Sequence, residues 1–222
     1  MKALFYKEWI KTRWFFLAAA LVSLTLCEYC LLNISRITEL KGAVHVWEVM
    51  LTRDAIFIQL IRFVPFLIGI LASLVQFVPE MQQKRIKLTL HLPYSQNKSI
   101  GTMLLFGILL LTIIFFLNFL FLIVYLNQVF ALELVSRIIL TAFVWYLAGF
   151  LSYLLTTWIC LEPTWKRRMI NLLIAVALLR VFFLSETPEV YNTFLPFMVL
   201  YTVIVSILPL WSVQRFKDGT QD

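Results

Sequence analysis

The sequence predicts an all-α integral membrane protein. Six transmembrane helices are expected, with an amphipathic N-terminal helix in the membrane interface and a short cytoplasmic helix between spans two and three. Three observations carry this. Of the 222 residues 62% are hydrophobic and 14% charged, against about 45–50% and about 25% in soluble domains. Six apolar stretches approach or exceed the roughly 20 residues that a helix needs to cross the hydrocarbon. The basic residues gather in alternate connections between them.

The elements follow in order. Within residues 1–13, Phe5, Tyr6, Trp9 and Ile10 share one helical face, and Lys7, Glu8 and Lys11 the other. Such a helix lies with its rings at headgroup depth and its charges in water; an ordinary basic flank before a span is the plainer reading. Spans are expected at about 14–34, 54–78, 100–126, 135–161, 169–185 and 191–211. The first is too long for a signal-peptide core of about 7–15 residues and is expected to stay as an anchor. Residues 35–53 read as a polar loop. Pro65, Pro196 and Pro209 are positions where a helix could kink. One transmembrane domain over residues 1–222 accounts for the whole chain.

Orientation follows from Lys and Arg in short loops. One side holds Lys2, Lys7, Lys11 and Arg13, then Lys84, Arg85, Lys87 and Lys98, then Lys166, Arg167 and Arg168, then Arg215 and Lys217. The other holds Arg36, Lys41, Arg53 and Arg137. The first side is expected to be cytoplasmic, with both termini inside. The net charge of +7 is then a topology signal, and nucleic-acid binding is not expected.

Enzymatic chemistry is not expected. No glycine pattern forms a phosphate loop, and no H-E-x-x-H or G-x-S-x-G occurs. His45 and His91 stand alone on opposite sides, so no metal site is expected. Cys27 and Cys30 are spaced as C-x-x-C, but inside span one, where they read as packing residues.

The segment from Pro79 to Lys98 is the most polar long connection. Pro79 suits a first helical position and Glu80 the positive end of a helix dipole, with Lys84, Arg85 and Lys87 toward the other end. Ile86, Leu88, Leu90 and Leu92 alternate before Pro93. Two readings stand: a basic loop that fixes topology, or a docking element for a cytoplasmic partner.

The layout resembles the permease subunit of a type-2 ABC transporter. An N-terminal interfacial helix, six spans, and Leu88-Thr-Leu-His-Leu-Pro-Tyr-Ser95 after an acidic residue and basic residues carry the resemblance. It departs from the family by lacking a Gly-Thr after the acidic residue and by a short, polar connection at 185–189 where re-entrant helices are usual. The resemblance implies a coupling segment that includes Glu80, Lys84, Arg85, Lys87, Leu88, Leu90 and Pro93. It implies a second permease, identical or homologous, and a P-loop ATPase subunit that binds ATP and magnesium. It also implies a place in a bacterial inner membrane among its lipids, with no cofactor in this chain. A non-catalytic scaffold subunit of a membrane complex is the alternative.

Glu28, Arg62 and Arg180 are charges within spans, each expected roughly 7–12 Å from the outer end at 1.5 Å per residue. A charge in lipid is costly, so Glu28 is expected to pair with an arginine. Structural pairing and a substrate-path site are both open readings.

Overall fold

The computed structural model describes residues 2–52, 54, 57–82, 96–185 and 187–217. Every regular element among them is helical. Helix α1 runs Lys2–Lys41 as one helix of 40 residues, about 60 Å at the α-helical rise. The expected interfacial helix and span one are therefore continuous. No Gly or Pro lies between Lys2 and Lys41 to separate them. The helix stops at Gly42, whose φ of 82° lies in the left-handed region and whose N–H donates to the Thr38 carbonyl at 2.9 Å. Helix α2, Ala43–Thr52, follows at once. The stretch 35–53, expected as a loop, is thus mostly helical.

A 3₁₀ turn at Gln59–Phe63 leads into α3, Val64–Gln82. Pro65 falls at the second position of α3, where a missing N–H costs nothing, so it starts the helix instead of kinking it. Pro79 lies inside α3. Residues 79–82 of the short helix expected there form the last turn of α3; the rest of it, 83–93, lies outside the described residues. Glu80 consequently sits at the negative end of the helix dipole, the reverse of the sequence expectation.

Helix α4 is Gln96–Val129 and α5 is Leu132–Leu161. Helix α6, Trp165–Arg180, is prolonged by a 3₁₀ turn at Val181–Phe183. A 3₁₀ turn at Asn192–Phe194 opens α7, Leu195–Val205, and α8 is Ile207–Lys217. Pro196 is in the first turn of α7 and introduces no kink. Pro209 divides the sixth apolar stretch. It has no N–H for the Val205 carbonyl and its ring crowds that turn, and α7 ends at Val205.

Five stretches are long and apolar enough to cross a membrane: Ala3–Lys41, Gln59–Gln82, Lys98–Val129, Leu132–Leu161 and Asn192–Arg215. Their outer faces expose Leu21, Leu67, Phe116, Phe197 and Val203, among others. Continuous apolar cover of this kind suits lipid and not water. The chain reads as a multi-pass membrane protein.

Helix α5 is the core. It is the most buried of the five stretches, and α3, α4, α6, α7 and α8 all pack on it. Its closest neighbour is α3. A Cβ on Gly149 would lie 2.8 Å from the Pro65 carbonyl oxygen and 2.9 Å from a Phe115 ring carbon, and one on Gly69 would run into the Gly149 carbonyl and the Ser152 hydroxyl. Only glycines allow this approach, the small-residue packing that holds helices together in lipid. Hydroxyls and amides tie the seam. Ser73 and Thr157 share a hydrogen bond of 2.9 Å, and Ser152 donates to the Phe66 carbonyl at 2.9 Å. The Tyr153 hydroxyl donates to Gln76 Oε1, and Gln76 Nε2 donates to the Met103 carbonyl on α4, both at 2.8 Å.

Helix α6 is shorter than these five, yet its ends are pinned at opposite ends of α5. Arg168 and Asn171, near its start, contact Glu162 just beyond the end of α5. Glu189, beyond its far end, pairs with Arg137 near the start of α5. Sixteen residues at 1.5 Å and three 3₁₀ residues at 2.0 Å make about 30 Å, the thickness of the hydrocarbon.

Candidate functional site at the basic end of the bundle

Helices α3 and α5 run in the same direction, with Pro65 beside Gly149 and Ser73 beside Thr157. Their last turns therefore share one end of the bundle. That end also holds the start of α1, the start of α6 and the end of α8. Exposed Trp9, Trp165 and Trp211 surround it, as aromatic side chains do at a membrane–water boundary. Two buried carboxylates organise it.

The first is Glu80. Its side chain is 0% exposed. Lys7 approaches its carboxylate oxygens at 3.0 and 3.1 Å, and Lys11 approaches Oε1 at 3.0 Å. Lys11 also meets Glu8 at 2.9 Å. The cluster holds two acids and two bases and is neutral. It welds the first turns of α1 to the last turn of α3. The sequence places Lys7, Glu8 and Lys11 in water; in the structure Glu8 is buried and Lys11 nearly so, because Glu80 offers the counter-charge that lets this face pack inward. Tyr6, Trp9 and Ile10 remain on the outer face as expected.

The second is Glu162. Pro163 follows it and disfavours a helical conformation there; Glu162 has φ −70° and ψ 126° and closes α5. Its Oε2 accepts from Ser212 at 2.6 Å and pairs with Arg215, both on α8. Its backbone carbonyl accepts from Arg168 Nε at 2.6 Å. Asn171 on α6 sits at 3.5 Å from Oε2, the outer limit of a hydrogen bond. One residue therefore joins α5, α6 and α8.

At the opposite end Arg137 is the hub. It pairs with Asp54, donates to the Met50 carbonyl at 3.3 Å, and lies 3.7 Å from Glu189. Asp54 and Glu189 have φ of 50° and 67°. A left-handed conformation costs about 1–2 kcal/mol for a residue with a Cβ, and here both such residues converge on the same guanidinium.

Of the residues proposed for coupling, Glu80 is placed as described. Lys84, Arg85, Lys87, Leu88, Leu90 and Pro93 lie outside the described residues, as does His91. The expected pairing of the intramembrane charges is not seen among the described residues. Glu28 and Arg180 are exposed on α1 and α6, and no ion pair joins Glu28 to either arginine among the described residues. Arg62 donates to the Phe183 carbonyl at 3.4 Å and lies over the rings of Phe63 and Phe183, at 5.3 and 5.7 Å from their centroids. These contacts are with a backbone oxygen and two π faces. Cys27 and Cys30 are buried and form no disulfide. Among the described residues no group of three His, Cys, Asp or Glu could hold a metal ion.

Glu8, Glu162 and Arg137 escaped the sequence reading as organising residues. Each stands within a few residues of an apolar stretch, where a charge reads as a topology flank. The small-residue pairs Gly69–Ser73 and Ala148–Ser152, each spaced i, i+4, were a usable signal for the α3–α5 seam. No family model, no curated protein and no solved structure matches the chain.

Proposed function

We propose that the chain is the permease subunit of an ATP-driven type-2 ABC transporter in a bacterial inner membrane. It crosses six times, with both termini and the basic end cytoplasmic. A second permease, identical or homologous, completes the pathway, and a separate P-loop ATPase subunit binds ATP and magnesium. The chain itself performs no covalent chemistry. One observation carries this reading furthest: the Glu80 cluster. It fixes the end of α3 to the start of α1 just before the basic segment 83–95. A force applied to that segment by a partner reaches two long helices at once. The α3–α5 seam passes it to the core.

The six-crossing topology is supported by the contacts at both ends of α5 made by α6 and the residues that follow it. Cysteines introduced at Gln83 and Glu189 are expected to label from opposite faces of intact cells with a membrane-impermeant maleimide. Labelling from one face would remove the sixth crossing.

The partner is tested by pull-down from native membranes. An ATPase is expected to co-purify with the chain, and Lys84→Glu with Arg85→Glu is expected to reduce its yield several-fold while the chain still inserts. A membrane scaffold subunit predicts no ATPase in the pull-down. An unchanged yield in the double variant leaves 83–95 as a topology determinant only.

A further inference from the structure

An apolar groove opens at the basic end between α3, α5 and α6, with a volume of about 300 Å³. Val78 and Met81 of α3, Ile159 of α5, and Met169 and Leu172 of α6 form its walls, and Arg168 is the cation in its lining. From Trp165 to Leu172 the groove follows α6 for about 10 Å at the helical rise. It begins at the level of exposed Trp165 and runs toward the bundle interior, along the direction of a lipid chain.

The charge at its upper end is unbalanced. Lys166 and Arg167 are exposed, and neither has a carboxylate partner among the described residues. Arg168 spends only Nε, on the Glu162 carbonyl. Glu162 is already matched by Arg215 and Ser212, so it does not neutralise the triplet. Thr164, the residue before α6, makes no side-chain cap, which leaves the first N–H groups of a 16-residue helix open beside the three cations. The neighbouring segment 83–95 carries Lys84, Arg85 and Lys87 and no acid.

We propose that this groove binds an anionic phospholipid, with one acyl chain against the α3–α5–α6 walls and the phosphate at Lys166, Arg167 and Arg168. Basic pockets between helices at the inner membrane face recognise acidic headgroups by this combination of charge and apolar wall. The site holds whether or not an ATPase binds the chain. It ties α6 to α3, which have no buried polar link of their own among the described residues, and makes the packing of α6 dependent on lipid composition.

The test uses the purified full chain in mild detergent, offered equal amounts of dioleoyl phosphatidylglycerol and dioleoyl phosphatidylcholine, with bound lipid counted by native mass spectrometry. Phosphatidylglycerol is expected to be retained about 10-fold or more over phosphatidylcholine, in line with two exposed cations at a lipid surface. Lys166→Gln with Arg167→Gln should abolish that preference, and neither residue supports a described contact. Leu172→Trp fills the groove without changing charge and should reduce retention of both lipids. Equal retention of the two lipids by the native chain would overturn the proposal. So would a preference that survives the double substitution, or displacement of the lipid by millimolar inorganic phosphate, which would mark a phosphate site alone.

Discussion

Glu162→Ala should lower the amount of folded protein recovered in mild detergent more than any other single change at the basic end. The carboxylate is 1% exposed and the Arg215 side chain 21%. Removing the acid takes a buried counter-ion from Arg215, which keeps its contact with the Trp211 ring, so the cost falls at or below the roughly 3–5 kcal/mol of a broken buried pair. It also strips the Ser212 hydroxyl of its acceptor at 2.6 Å. The backbone carbonyl that holds Arg168 survives the substitution, so α6 is loosened less than α8. Glu162→Gln keeps an acceptor for Ser212 and should recover part of the loss. Adding Arg215→Gln to Glu162→Gln should recover more, because neither charge is then left without the other. Size-exclusion chromatography of a fluorescent fusion, heated in steps, reads the effect. A melting profile for Glu162→Ala equal to that of the native chain would show that α8 is held by its apolar contacts alone.

The apolar stretches and the basic end were legible because each is a sum over many residues. Twenty apolar side chains in sequence leave few alternatives to a membrane helix, and the basic flanks Lys7, Lys11, Arg168 and Arg215 meet at one end of the bundle. What depended on one or two residues was less legible. Pro79 reads as a helix start, but α3 passes through it, since a helix in lipid has no water to take over the groups freed by an early end. That extension of one turn carried Glu80 from the expected start of a short surface helix into the bundle and gave it Lys7 and Lys11 as partners. Glu28 was expected to find an arginine because lipid penalises a lone charge; the helices hold Glu28 and Arg180 on exposed faces and give Arg62 a carbonyl and two rings. Depth along a helix can be counted from sequence, whereas the direction a side chain faces depends on which helices pack together. The α3–α5 seam belongs to the same class. Gly69 and Gly149 are 80 residues apart, and their proximity follows from the parallel course of α3 and α5.

Glu80→Ala is expected to release the start of α1. The acid is fully buried while Lys11 is 15% and Lys7 37% exposed. Lys7 can turn to water and contributes little on its own. Lys11 keeps Glu8, 2.9 Å away, so the cluster does not collapse to a bare charge. The cost is therefore placed below that of an isolated buried pair, at about 2 kcal/mol. That value is small against the whole bundle but large against the packing of two helical turns. The expected result is local: a rise of about 10-fold or more in tryptic cleavage after Lys7 and Lys11, with little change in the thermal midpoint. Glu80→Asp should fall between, because a side chain shorter by one methylene cannot reach both ammonium groups from the same backbone position. In a transporter the consequence would separate docking from drive. The segment 83–95 remains to bind an ATPase, so co-purification should persist, whereas nucleotide-dependent changes in the accessibility of α1 should disappear. Unaltered cleavage after Lys7 and Lys11 in Glu80→Ala would mean that Phe5, packed edge-on against Phe106 at 5.5 Å, holds α1 without the charges. The force path proposed through Glu80 would then be lost.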